Sequence, residues 1–131
     1  MKNVLLLEDE GRIRQLYVRL LTAVGLYVLE AENADQATQV LVKHPLDLVL
    51  LDLNIPQING QEMFDIIKEY NPDLKVITFS ASSVNQQKRL VPFADDYFDK
   101  SDGPYTLLER IDQVLFSSQD QKEILAKEVA K

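Results

Sequence analysis

Apolar residues in this chain come in short unbroken runs, separated by longer stretches in which they recur at helical spacing. The runs at 2–7, 27–31, 46–51 and 76–79 read as strands, and Tyr97-Phe98 as a short fifth one. Residues 11–24 place Ile13, Leu16, Tyr17, Leu20, Leu21 and Val24 on one helical face, and Gly25 is positioned to end that helix. Asn33 suits the N-cap of a second helix to about residue 43, with Ala34, Ala37, Val40 and Leu41 inward. A third helix at 60–70 carries Met63, Phe64 and Ile67, and Asn71-Pro72 closes it. Residues 84–90 form a weaker fourth helix with few apolar positions. Pro104 fits the first turn of a last helix bearing Leu107, Leu108, Ile111, Val114 and Leu115.

The order is therefore strand then helix, five times. That order predicts an α/β domain whose parallel sheet is covered on both faces. Strands that are apolar throughout, with no period of two, point the same way. Right-handed crossovers leave a three-layer, doubly wound (βα)5 arrangement with a five-stranded parallel sheet as the leading architecture. Residues 2–116 are expected to form this one domain. Residues 117–131 are polar and helix-favouring, with Glu123 and Lys127 spaced as an i,i+4 pair, and read as a tail that extends the last helix, links onward or frays.

Composition narrows the function classes. A length of 131 residues suits a single core that buries roughly two-thirds of the unfolded surface. A hydrophobic fraction of 46% excludes a disordered chain. No apolar run approaches the ~18 residues of a membrane span, and no signal peptide is expected. The absence of cysteine rules out disulfides and thiolate zinc sites, and it fits the cytoplasm. A net charge of −7 argues against direct nucleic-acid binding by this domain.

In doubly wound sheets, ligands sit at the carboxyl ends of the strands. Here the first strand ends in Glu8-Asp9, the third in Asp52, the fourth in Ser80 and the fifth in Lys100. Any one of them merely ends a strand, but the set is three acids, a hydroxyl and an ammonium at one edge. Two like charges ~4 Å apart repel by about 4 kcal/mol at an effective dielectric near 20, so the acids need counter-charge. Lys100 supplies one unit, and Mg2+ would supply two more, since that ion takes a few carboxylates plus waters. A carboxylate can attack phosphorus to give an acyl phosphate, with metal and ammonium offsetting charge on the phosphoryl oxygens. Asp52, at the end of the central strand, is the candidate nucleophile; Asp9 and Glu8 serve the metal.

The segments Val-Leu-Leu-Leu-Glu-Asp-Glu (4–10), Leu-Val-Leu-Leu-Asp-Leu-Asn-Ile-Pro-Gln-Ile-Asn-Gly (48–60), Val-Ile-Thr-Phe-Ser-Ala (76–81) and Ala-Asp-Asp-Tyr-Phe-Asp-Lys (94–100) resemble the receiver domain of two-component response regulators, chemotaxis-regulator-like, over about residues 2–116. The resemblance implies a flavodoxin-like sheet of order 2-1-3-4-5. It implies that Asp52 accepts a phosphoryl group from a phosphohistidine on a sensor histidine kinase or phosphotransfer protein. Asp9, Asp52 and the backbone carbonyl of Asn54 would hold Mg2+, with Glu8 acting mainly through water. Ser80 and Lys100 would bind phosphoryl oxygens, and Tyr97 would be an aromatic switch residue that follows Ser80. The output would be a change of affinity for a downstream partner or effector domain at the face of the fourth helix, fifth strand and last helix; a homodimer is left open. The chain would catalyse only its own phosphoryl transfer and loss, so it is not expected to be an enzyme in the metabolic sense.

Two departures from the family pattern bear on that output. Lysine in this family is usually followed by proline, and Ser101 stands there instead. Val91-Pro92-Phe93 replaces the usual small residues before the last strand, which predicts a short or irregular fourth helix. Ser101 in place of proline motivates an alternative, a receiver-like binding module that takes no phosphoryl group. An enzyme on the same fold is disfavoured. A dehalogenase-type phosphatase needs aspartate where Asn54 stands, and Glu8-Asp9-Glu10 would repel a flavin phosphate. No P-loop pattern is present. His44, the single histidine, is assigned no catalytic or metal role. Asp95 and Asp96 read as solvated loop acids, and Pro56 and Gly60 as loop chemistry.

Overall fold

The computed structural model describes residues 1–116; the expected tail at 117–131 lies outside the described residues. The elements are β1 (Asn3–Leu7), α1 (Gly11–Ala23), β2 (Tyr27–Ala31), α2 (Ala34–Lys43), β3 (Leu48–Asp52), α3 (Gly60–Tyr70), β4 (Lys75–Ser80), α4 (Val84–Leu90), β5 (Asp96–Asp99), a 3-10 turn (Lys100–Asp102) and α5 (Pro104–Leu115). All strand pairs are parallel and the sheet order is β2-β1-β3-β4-β5. This is the doubly wound arrangement expected from the alternation of runs.

Side chains on a strand alternate between the two faces of the sheet. Leu5, Leu7, Val49, Leu51 and Val76 pack with Ala37 of α2 and with Met63, Phe64 and Ile67 of α3. Val4, Leu6, Leu48, Leu50, Ile77, Phe79 and Phe98 pack on the other face with Tyr17 and Leu21 of α1 and Leu107, Ile111 and Leu115 of α5. Both faces are therefore cores, which is why the strands carry no period of two.

Helix ends follow their capping chemistry. The Asn33 side chain accepts from the Gln36 N–H, as expected of that N-cap, and Ser83 with Gln86 forms a reciprocal capping box on α4. That box holds a helix of only 7 residues, matching the short fourth helix foreseen from the sequence. In α1 the pattern reading needs correction. The stripe facing the sheet is Arg14, Tyr17 and Leu21, so Leu16 and Val24 fall at its margin and are more than half exposed or nearly so (50% and 56%). The third strand starts later than the apolar run suggested, because the Asp47 carboxylate accepts the Asn3 N–H at 2.8 Å and turns the chain before Leu48.

The loop after Asp52 contains the one residue other than glycine with positive φ among the described residues, Gln57 at 76°. Its side chain is exposed, so nothing about its chemistry requires glutamine there. An L-residue in that region is strained by roughly 1–2 kcal/mol, and glycine is not. Gln57→Gly is expected to raise the unfolding free energy by about 1 kcal/mol, net of glycine's greater freedom in the unfolded chain. Urea denaturation measures this; an unchanged or lowered midpoint would show that the loop relaxes the strain another way.

Candidate functional site: an acidic cluster at the carboxyl edge of the sheet

Register brings the site together. Leu7 lies level with Leu51, so Glu8 follows beside Asp52, and Asp52 lies level with Phe79. Ser80 lies level with Asp99, one residue before Lys100. Alternation puts Glu8 on the side of Leu6, Asp52 on the side of Leu50 and Lys100 on the side of Phe98, which is one common face. Lys100 Nζ stands 3.2 Å from Glu8 Oε2, 3.3 Å from Asp52 Oδ2 and 4.8 Å from the Phe79 ring centroid. Glu8 and Asp52 are each 1% exposed, while Asp9 is exposed at the rim. Oxygens of Glu8, Asp9 and Asp52 all lie within 4.8 Å of one another.

The cluster holds more acid than cation. Burial, first, and then the hydrogen bond and repulsion from Asp52 push the Glu8 carboxyl up to about 8 against the pull of Lys100. For Lys100, burial would lower the ammonium, but attraction to Asp52 and then Glu8 outweighs it and the net shift is upward. A buried carboxyl that keeps its proton beside an ammonium marks a site short of positive charge. Three convergent carboxylates suit a hard divalent ion with oxygen ligands, so the residues present fit Mg2+. The Asn54 N–H donates to Asp52 Oδ1 at 2.9 Å, which ties the loop after β3 to the Asp52 side chain.

Ser80 and Tyr97 sit on the other side of the same edge. The Ser80 hydroxyl oxygen accepts the Ser82 N–H at 3.1 Å and faces Asn54 Nδ2 at 3.4 Å. Tyr97 is 7% exposed and its hydroxyl donates to the Val91 carbonyl. After Lys100 the chain makes a 3-10 turn with no cis peptide among the described residues. The Ser101 N–H and hydroxyl both donate to Asp99 Oδ1, at 2.9 and 2.7 Å. Those bonds, the backbone one foremost, hold the Asp99 carboxyl below its ordinary value. Proline at 101 would offer neither donor, so the departure from the family pattern carries its own local fastening of the Lys100 turn.

Two residues near the site, Arg14 and Gln87, escaped pattern reading. Arg14 is 9% exposed; its guanidinium donates to the Glu8 carbonyl at 2.9 Å and to Glu30 and Glu32 at 3.0 Å each, fixing the backbone that carries Glu8. The signal was an arginine in a buried stripe opposite paired glutamates flanking Ala31. Away from the site, Asp95 is the exposed loop acid expected, and it also accepts the Val76 N–H at 2.7 Å and faces Lys68 Nζ at 3.5 Å. Asp96 likewise accepts the Tyr97 N–H and pairs with Arg110 at 3.5 Å. Gln87 is wholly buried on α4.

The family model for the response regulator receiver domain matches residues 4–112. The phosphate regulon transcriptional regulatory protein PhoB of Pseudomonas aeruginosa is 36% identical over 118 residues, covering 87% of this chain and 52% of that protein. The chain spans about half the length of PhoB and of two further curated relatives. Among solved structures, the response regulator TrrA of Thermotoga maritima, in complex with Mg2+-BeF, is 32% identical with a TM-score of 0.80, covering 88% of this chain and 100% of that one. TrrA has also been solved in complex with the histidine kinase ThkA, with the same identity and TM-score and 99% of that chain covered. The acid, hydroxyl and lysine at the sheet edge thus sit in a fold and a sequence shared with known regulators: this chain belongs to the response regulator receiver domains of two-component signalling.

Proposed function

We propose that the chain is a phosphorylation-dependent switch in which Asp52 is the phosphoacceptor. The observation that carries this is the convergence of Glu8, Asp9 and Asp52 within 4.8 Å, with Lys100 bonded to two of them. The Asp52 carboxylate attacks the phosphorus of a phosphohistidine on a sensor kinase or phosphotransfer protein. A P–O bond forms, the P–N bond breaks, and its electron pair stays on the imidazole nitrogen. Glu8, Asp9, Asp52 and the Asn54 carbonyl would hold Mg2+, which offsets charge on the phosphoryl oxygens when bound. Lys100 offers its ammonium and Ser80 its hydroxyl to those oxygens. The complexes of TrrA with Mg2+-BeF and with a histidine kinase support these assignments.

The acyl phosphate carries roughly −2 charge where the Asp52 carboxylate carried −1. Ser80 and Lys100 are drawn to it, Tyr97 follows, and a conformational equilibrium shifts. The face of α4, β5 and α5 exposes Leu90, Phe93 and Tyr105, and it is the surface whose affinity for a downstream partner or effector domain changes. Catalysis is confined to the chain's own phosphorylation and dephosphorylation, and its place is the cytoplasm. Among the described residues no helix is long and apolar enough to cross a membrane. The alternative, an unphosphorylated binding module, drew on Ser101; the Ser101–Asp99 bonds that fasten the Lys100 turn support the switch reading over it.

Incubating the wild-type chain with acetyl phosphate and Mg2+ is expected to add one phosphoryl group, about 80 Da by intact mass. The adduct should be labile to hydroxylamine, as an acyl phosphate is, and chelating Mg2+ should prevent it. An unmodified protein under these conditions sinks the proposal.

A further inference from the structure

Gln87 lies on α4, outside the phosphoacceptor cluster, and is 0% exposed. Its amide oxygen accepts the Thr78 hydroxyl of β4 at 2.7 Å. Its amide nitrogen donates to the Phe98 carbonyl of β5 at 2.8 Å and to the Ser82 carbonyl at 2.9 Å. Both amide hydrogens and the oxygen are thus engaged, each by a different element. A short helix could dock on this sheet through an aliphatic residue alone, without the desolvation cost of an amide. The position therefore does more than fill space.

The partners show what. Ser82 is gripped at both ends: its N–H donates to the Ser80 hydroxyl oxygen and its carbonyl accepts from Gln87. Phe98 stands between Tyr97 and the Asp99-Lys100 turn. The helix surface and the groups at the sheet edge that face a phosphoryl group are therefore joined through one side chain. Tyr97 makes a parallel link, since its hydroxyl bonds Val91 at the end of the same helix.

We propose that Gln87 is the positioning residue that couples Ser80 to α4, an inference that rests on Asp52 being the phosphoacceptor. A displacement of Ser80 toward a phosphoryl group draws Ser82, and the Ser82–Gln87 bond passes that displacement to the helix while the Phe98 bond anchors it to β5. Gln87 touches no reacting atom. Coupling is reciprocal, so a partner seated on α4 alters phosphoryl affinity through the same side chain.

The test compares the full wild-type chain with Gln87→Met, which keeps length and volume but makes none of the three bonds. Both are treated with acetyl phosphate and Mg2+, uptake is read by mass, and hydrogen–deuterium exchange is followed over 84–90. Phosphorylation is expected to change exchange there about fivefold or more in wild type and less than about twofold in Gln87→Met, with phosphoryl uptake retained. A variant that is merely less stable yet keeps the wild-type exchange response shows a structural role and overturns the proposal. Should Gln87→Met fail to fold by circular dichroism, Thr78→Val removes a single bond; it is expected to reduce the response by about half, and an undiminished response overturns the proposal. A wild type that takes up phosphoryl without any change over 84–90 overturns this inference alone. A wild type that takes up none overturns the phosphoacceptor reading and this one with it.

Discussion

Asp52→Asn is expected to take up no phosphoryl group under conditions that fully modify the wild type. The reason is chemical and positional together. A neutral amide is a far poorer nucleophile than a carboxylate, and no neighbouring acid can replace it. Glu8 is just as buried, and burial, the largest cause that holds its carboxyl above the ordinary range, is unchanged by the substitution. Asp9 is ionisable and exposed, yet the contacts of Lys100 go to Glu8 and Asp52 and not to Asp9. Asparagine also removes two of the causes that raise Glu8, the hydrogen bond and the repulsion of the Asp52 carboxylate, so the Glu8 carboxyl should move down toward the usual range. The variant is therefore expected to be folded, with a circular dichroism spectrum like the wild type's, and chemically silent. Intact mass after acetyl phosphate decides it. Modification at the wild-type level would mean that another side chain is the acceptor and that the geometry at β3 has been misread.

What was legible in the sequence is what repeats along it. Continuous apolar strands, helical spacing between them, and a polar residue at each strand end determine a doubly wound sheet whose chemistry gathers at one edge. Glu8, Asp52 and Lys100 could be placed together because strand register follows from that topology, and the structure finds them in contact. Pattern reading fails where a polar side chain is buried against a partner distant in sequence. Arg14 looks like a solvent residue until Glu30 and Glu32 are seen opposite it. Gln87 made the fourth helix look weak, because an amide counts as polar in any periodicity and its three partners lie on β4, β5 and the loop between β4 and α4. Gln57 hid a positive φ, since the turn demands glycine's conformation without showing glycine. The buried polar misses share one cause: satisfaction of hydrogen bonds is a property of three-dimensional neighbours, whereas hydrophobic period is a property of the chain.

The stability of the metal-free protein should fall as pH rises from about 5 to about 9, and Glu8 should be the group responsible. Its folded-state value of about 8 lies above the ordinary 4.5, so the folded chain holds that proton more tightly than the unfolded chain. The sign follows from linkage: the contribution is fully present below 4.5 and is lost as pH rises through about 8, because ionising Glu8 leaves a second buried carboxylate beside Asp52 with only Lys100 between them. Within that window the slope approaches about 1.4 kcal/mol per pH unit for a single proton. Glu8→Gln mimics the protonated form and should remove the slope, so the wild-type-minus-variant difference isolates this group from every other titration. Urea unfolding in a chelator across the window measures it, and a difference that stays constant from about pH 5 to 9 would remove Glu8 as the source. The same proton opposes a cation: a divalent ion needs the carboxylate form, so Mg2+ should bind more tightly with rising pH and release a proton as it binds. Acid thus stabilises the empty cluster and weakens the metal, and the two trends cross because one carboxyl serves both.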